Sequence, residues 1–186
     1  FFYGCFFEGG VYGVREANEF ILFNNCFFEG QTTAAVSGSL YGMASGFVNN
    51  TFYNISGDAI QVAVNNVSAG PITIRNNVFS DIAGTAINNT NSSNVGVFPT
   101  GNLFYNCGTN INSDSHALSR NNVTDTSSPL ADPSGGDYSL VSSSNGYNTG
   151  EPKPFEVLDA NTNKDIGAFQ HTDPSGNPSP FHPLGS

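Results

Sequence analysis

The chain has 186 residues, of which 11% are charged, and 15 Asp and Glu against 5 Lys and Arg give a formal net charge of −10. Nucleic acids and anionic bilayers are held by clustered Lys and Arg. Here Arg15, Arg75 and Arg120 are scattered and Lys153 and Lys164 sit near the C-terminal end, which argues against both partners, and no run of 18 apolar residues reads as a membrane span.

In chain order, Phe1-Phe2-Tyr3, Cys5-Phe6-Phe7-Glu8, Val11-Tyr12-Gly13-Val14 and Phe20-Ile21-Leu22-Phe23 read as short strands with glycine corners. Their aromatic and β-branched content favours strands, and the Gly9-Gly10 pair disfavours a helix. Cys26 to Gly30 repeats Cys-Phe-Phe-Glu-Gly, after which Gln31 to Ser39 precede Leu40-Tyr41-Gly42-Met43 and predict an insertion at a corner. Ile60-Gln61-Val62-Ala63-Val64 and Ile72-Thr73-Ile74 alternate as half-buried strands. A further segment runs from Asn102 to Arg120, and another begins at Asn121 and dissolves into the Ser-, Asp-, Pro- and Gly-rich stretch Asp125 to Gly136. A last strand is predicted at Ile166-Gly167-Ala168-Phe169, and the tail from Thr172 to Ser186, with four prolines, is expected to be extended or disordered.

One pattern recurs along the chain: a β-branched run, an Asn-Asn pair, then an aromatic, then a step into the next strand. Taking the second Asn as marker, Asn25, Asn50, Asn77, Asn102 and Asn122 are 25, 27, 25 and 20 residues apart. Such intervals mark a solenoid, whose units bury their apolar faces by stacking. Three strands per coil put like residues above one another. Phe6, Phe27, Phe52, Phe79 and Phe104 then form one aromatic column ending at Thr124, and the five marker asparagines form a second column. Asn tolerates the left-handed backbone of a tight turn, and stacked amides donate and accept along a column. Cys5 and Cys26 fall in one slot of successive repeats, with Thr51, Val78, Leu103 and Val123; they read as small apolar filler or as a bonded pair.

This pattern resembles the right-handed parallel β-helix proteins, the architecture of pectate lyases, other polysaccharide-degrading enzymes and phage tailspikes. The expected fold is all-β, a right-handed parallel β-helix of about six coils over residues 1–124, a capping segment over 125–171 that folds across the last coil, and a tail over 172–186. Ser128-Pro129-Leu130-Ala131-Asp132-Pro133-Ser134-Gly135-Gly136-Asp137-Tyr138-Ser139-Leu140 followed by Asp165-Ile166-Gly167-Ala168-Phe169 is similar to the closing segment of bacterial surface β-helices of the choice-of-anchor Q type. Where that family has a Ser-Pro-Ala-Ile-Asp-x-Gly run, this chain has Ser142 to Gly150. The resemblance implies an extracellular, cell-surface or virion-surface location and a carbohydrate polymer as partner.

Candidate sites follow from the columns. Tyr12, Tyr41, Gln61, Asn88 and Asn112, each one step after an apolar anchor at Val11, Leu40, Ile60, Ile87 or Ile111, make a row of aromatics and amides suited to a sugar chain. Glu8, Glu29, Asn54, Asp81 and Asn106 share a slot after the aromatic column, where Glu29, Asn54 and Asp81 offer oxygens suited to calcium; a solvated outer face is the competing reading, and no other cofactor is indicated. Arg75 and Arg120 fall two coils apart in one slot with Thr100 between, a grip for an anionic sugar and the basic pair that a uronate-polymer lyase would need. His116, in Asp114-Ser115-His116, is a place where acid, hydroxyl and imidazole adjoin. The aspartate cluster and Gly-His-Gly element of a polygalacturonase-type hydrolase are missing. The two expected functions are therefore a carbohydrate-binding or display module with a largely structural role, or a polysaccharide lyase. Finally, Phe1 to Phe7 open on core-type residues, so further coils or another subunit, as in a homo-oligomer, are expected against that end.

Overall fold

The computed structural model describes residues 1–19, 21–40, 45–64, 72–90, 97–112, 119–150 and 165–169. Three parallel ladders run along the described residues. The first joins β1 (Phe2–Tyr3), β4 (Leu22–Asn24), β7 (Gly46–Val48), β10 (Ile72–Arg75) and β12 (Val97–Thr100). The second joins β2 (Phe6–Glu8), β5 (Phe27–Glu29), β8 (Thr51–Ile55), the first part of β11 (Val78–Asn89), the first part of β13 (Leu103–Asn112) and β14 (Val123–Thr124). The third joins β3 (Tyr12–Glu19), β6 (Ala34–Leu40), β9 (Asp58–Val64) and the second parts of β11 and β13. This is a parallel β-solenoid. The five strands of the first ladder mark about four full turns. The sixth of the coils expected is represented among the described residues only by Arg120 and β14, which stack on Thr100 and on β13.

Two corners set the path. Between the first and second ladders, Gly4, Asn25, Asn49, Asn76, Gly101 and Asn121 all have φ between 48° and 66°, the left-handed region that Gly and Asn tolerate best. The next residue in each rung, Cys5, Cys26, Asn50, Asn77, Asn102 or Asn122, points into the solenoid. The Asn-Asn pair thus divides two tasks, turning by the first residue and stacking by the second. In the stack Asn50 Nδ2 donates to Asn77 Oδ1 at 2.9 Å, Asn77 to Asn102 at 3.0 Å and Asn102 to Asn122 at 3.0 Å. Each of these amides also donates to a backbone carbonyl, of Phe23, Phe47 and Ile74 in turn. Asn25 belongs to the turning row rather than to this stack. Its backbone N–H donates to Val48 O, while Cys26 N–H takes the ladder bond to Asn50 Oδ1. At the second corner Gly9, Gly30, Asn54, Asp81 and Asn106 form another left-handed row.

The register corrects the aromatic column in the same way. Phe28 pairs with Phe52, and Phe27 with Thr51. The interior column is therefore Phe7, Phe28, Phe52, Phe79 and Phe104, with centroids 4.6, 4.8, 5.0 and 5.2 Å apart and rings within 8° of parallel. Those distances follow the rung spacing of about 4.8 Å, which lets like rings stack on one another. A second interior stack, Phe2, Phe23 and Phe47, meets the first edge-on. The predicted insertion at Gln31 to Ser39 is absent. Ala34–Leu40 is β6, and Val36 stands in line with Val14 and Ile60, so the step from interior Phe to anchor is the usual eight residues.

The C-terminal segment packs along the side of the solenoid. β15 (Leu130–Asp132) and β16 (Asp137–Leu140) pair antiparallel around one 3-10 turn, Pro133–Gly135, whose Gly135 N–H is capped by Asp132 Oδ1 at 3.0 Å. Leu130, Leu140 and Ile166 bury against Val78 and Leu103 on the outer side of the second ladder, forming a second apolar core. Tyr138 reaches the second rung, with its ring 4.2 Å from Phe27 and its hydroxyl donating to Glu29 Oε2 at 2.9 Å. The predicted last strand runs instead as a bent strap: Gly167, at φ 106°, donates its N–H to Asn76 O, and Ala168 N–H donates to Thr51 Oγ1. Asn145 Nδ2 ties the segment to the last rung by donating to Thr124 O at 3.0 Å, and Asp125 holds that turn by accepting from Ser144 Oγ and Asn145 N. The tail from 172 lies outside the described residues.

Candidate functional site

The outer face of the third ladder carries the densest polar arrangement. Register places Arg15, Ser37, Gln61, Asn88 and Asn112 in one row, beside the buried anchors Val36, Ile60 and Ile87. Gln61, Asn88 and Asn112 thus stand together as predicted. Tyr12 does not stand in that row: it pairs with Ala34, three residues before the Arg15–Ser37 pair, and its ring centroid lies 5.1 Å from the guanidinium carbon of Arg15. Tyr41 lies outside the described residues.

Asp58 is the hub of this face, and the sequence reading missed it together with Arg15 and Ser37. Its Oδ1 accepts from the Thr85 N–H at 2.8 Å, and its Oδ2 accepts from Asn88 Nδ2 at 2.7 Å and Gln61 Nε2 at 3.2 Å. Gln61 Oε1 accepts from Ser37 Oγ at 3.2 Å, and Asn88 Oδ1 from Asn112 Nδ2 at 3.1 Å. Four rungs are therefore linked by one chain of side-chain hydrogen bonds. The sequence signal was the Gly57-Asp58 step ahead of Ile60: a Cβ on Gly57 would come within 1.9 Å of Thr33 O, so only Gly lets the rungs approach there.

The other candidates are separated by the register. Glu29 pairs with Tyr53, not Asn54, and gives its carboxylate to the Tyr138 hydroxyl. Asn54 and Asp81 stand in the left-handed corner row, where Asp81 accepts from Asn106 Nδ2 at 2.7 Å and from Ser80 Oγ at 2.9 Å. Among the described residues no three His, Cys, Asp or Glu side chains converge to hold a metal. A shallow depression of about 350 Å³ lies at that corner, lined by Asp81, Ile82, Ala83, Asn106, Cys107 and Gly108. Burial pushes the Cys107 thiol up to about 11, so it stays protonated at neutral pH. Arg75, Thr100 and Arg120 share a column as expected, through the Arg75–Thr100 and Thr100–Arg120 pairings. Arg75 Nε is buried without a hydrogen-bond partner. His116 lies outside the described residues.

Comparison with protein-family models, with curated proteins and with solved structures finds no match for this chain. No helix among the described residues is long and apolar enough to cross a membrane. The geometry of the third ladder is accordingly the main structural guide to function.

Proposed function

We propose that this chain is a β-helix module of an extracellular, cell or virion surface that binds or displays to carbohydrate, through the outer face of the third ladder. One observation carries the reading: the in-register row Ser37, Gln61, Asn88 and Asn112, held in a single hydrogen-bond chain through Asp58. Side chains fixed at intervals of about 4.8 Å lose little rotational freedom when they bind, and their free lone pairs and N–H groups suit the repeating hydroxyls of a sugar polymer. Tyr12, beside Arg15, supplies a ring on which a sugar face stacks. The similarity of the C-terminal segment to choice-of-anchor Q proteins, and of the coil to tailspikes, supports the surface location.

A glycan array tests this with the wild type and with a Gln61→Ala, Asn88→Ala variant whose melting is checked in parallel. Binding by the wild type and at least tenfold loss in a folded variant is the expected result. A wild type that binds no glycan, or a variant that binds equally well, overturns it.

A second reading, a lyase acting on uronate polymers, is favoured by the Arg75–Thr100–Arg120 column alone. Two arginines in one column, two rungs and so about 9.6 Å apart at their Cα atoms, suit paired carboxylates. Appearance of the unsaturated product's ultraviolet absorbance with pectate, alginate or chondroitin would establish it, and silence with all three would dispose of it.

The reading also takes in a coil stacked on the first rung, from a further repeat or a second subunit. Phe1, Tyr3, Phe6 and Val11, the exposed large apolar side chains of the described residues, all belong to that rung. Particle size in solution, compared with that of a Tyr3→Lys, Phe6→Lys variant, tests it.

A further inference from the structure

The amide column has no asparagine on the first two rungs. Its slot there holds Cys5 and Cys26. Phe27 N–H donates to Cys5 O at 2.8 Å and Thr51 N–H to Cys26 O at 3.0 Å, so these rungs stack at the corner as the higher ones do, where Val78 N–H donates to Asn50 O at 2.9 Å. The two thiols are set alike, each 3.6 Å from the carbonyl oxygen two residues before it, of Tyr3 and of Asn24. Directly stacked rungs hold their Cα atoms about 4.8 Å apart, inside the span of roughly 4.4–6.8 Å that a disulfide bridges. The third cysteine, Cys107, pairs in register with Ile82 and has no cysteine on the adjoining strand.

We propose that Cys5 and Cys26 form a disulfide in an oxidising environment, continuing by a covalent bond the rung-to-rung linkage that Asn50, Asn77, Asn102 and Asn122 make by hydrogen bonds. The oxidant is a small-molecule disulfide of the glutathione class. The thiolate of Cys5, the more exposed of the two, attacks one sulfur of glutathione disulfide and releases one glutathione thiolate, which takes up a proton. Cys26 then loses its proton, and its sulfur displaces the second glutathione from Cys5. Two protein thiols are oxidised and one glutathione disulfide is reduced to two glutathiones. Burial raises the pKa of Cys26, more than the backbone hydrogen bonds from Cys5 and Asn24 lower it, which fits its place as the second, resolving thiol.

The test starts from reduced protein freed of reductant and equilibrated in glutathione buffers from reducing to oxidising. The expected result is a fall from three titratable thiols to one, a mass loss of about 2 Da and a cross-linked fragment joining Cys5 to Cys26. Melting should rise on oxidation in the wild type and in Cys107→Ser, and not in Cys26→Ser. Three thiols persisting under fully oxidising glutathione, a bridge that includes Cys107, or a stable glutathione adduct would each overturn the proposal. A bond that forms but lowers the melting temperature would overturn its role as a continuation of the column.

Discussion

Asn77 Oδ1 accepts two hydrogen bonds from Asn50, one from the backbone N–H and one from Nδ2, each at 2.9 Å. One amide oxygen therefore satisfies both a turn and a neighbouring side chain in a fully buried position. Asn77→Ala strands the Asn50 N–H and leaves Asn102 Oδ1 with one donor fewer. Because an unpaired buried polar group costs about 1–3 kcal/mol, the expected loss is about 3–5 kcal/mol in urea melts. Asn122→Ala, at the half-buried end of the column, should cost less than half as much.

Phe79→Ala should also cost about 3–5 kcal/mol. Its ring has Phe52 at 5.0 Å on one side and Phe104 at 5.2 Å on the other, and neither can close the gap without leaving its own rung. Thr124→Ala, on the exposed end of the same column, should stay within about 0.5 kcal/mol. Equal losses at both positions would contradict the register.

Tyr138 gives the molecule an alkaline sensitivity. Burial, the hydrogen bond to Glu29 and the charge of Glu29 push its hydroxyl up to about 12, against an ordinary value of 10.0. The folded state then keeps a proton that the unfolded chain gives up. The associated stability is complete below about pH 10 and is lost as pH rises toward 12. Tyr138→Phe should lose about 0.5–1.5 kcal/mol at pH 7 and show a shallower decline between pH 10 and 12, as read from melts across that range.

Cys26→Asn should extend the amide column by one rung. The introduced Nδ2 would donate to Asn50 Oδ1, and its carbonyl oxygen would face the Cys5 N–H, at a site already fully enclosed. A gain of about 1 kcal/mol under reducing conditions is expected, and a loss would show that the slot narrows below Asn50.

The solenoid was legible from Asn49-Asn50 onward because there the turning and stacking residues are both written as asparagine, or as Gly101-Asn102. It was misread by one residue at Asn24-Asn25-Cys26-Phe27-Phe28. The pair Asn24-Asn25 imitates the later pairs, and the double Phe accepts either alignment. In a strand a slip of one exchanges inner and outer faces, so Phe27 was assigned to the core column that Phe28 occupies. Gly4-Cys5-Phe6-Phe7-Glu8-Gly9, which matches Asn25-Cys26-Phe27-Phe28-Glu29-Gly30 position by position, held the correct register. The same slip placed Glu29 beside Asn54, and a separate three-residue shift on the third ladder put Tyr12 in the row that Arg15 holds. Hub residue Asp58 was invisible for another reason: its partners Gln61 and Asn88 lie on two different rungs, and only the fold brings them to one carboxylate.

In a simple repeat array each unit feels only its neighbours, and fraying can start at either end. Tyr138 contacts Glu29 across 109 positions of sequence, and Ala168 contacts Thr51 across 117. The strap therefore works as a buckle. It can fasten only after the second to fifth rungs have assembled, so its docking should be a late event in refolding. Under load applied at the chain's end it should be the first element to peel, leaving the rungs to unwind one by one with smaller steps in extension.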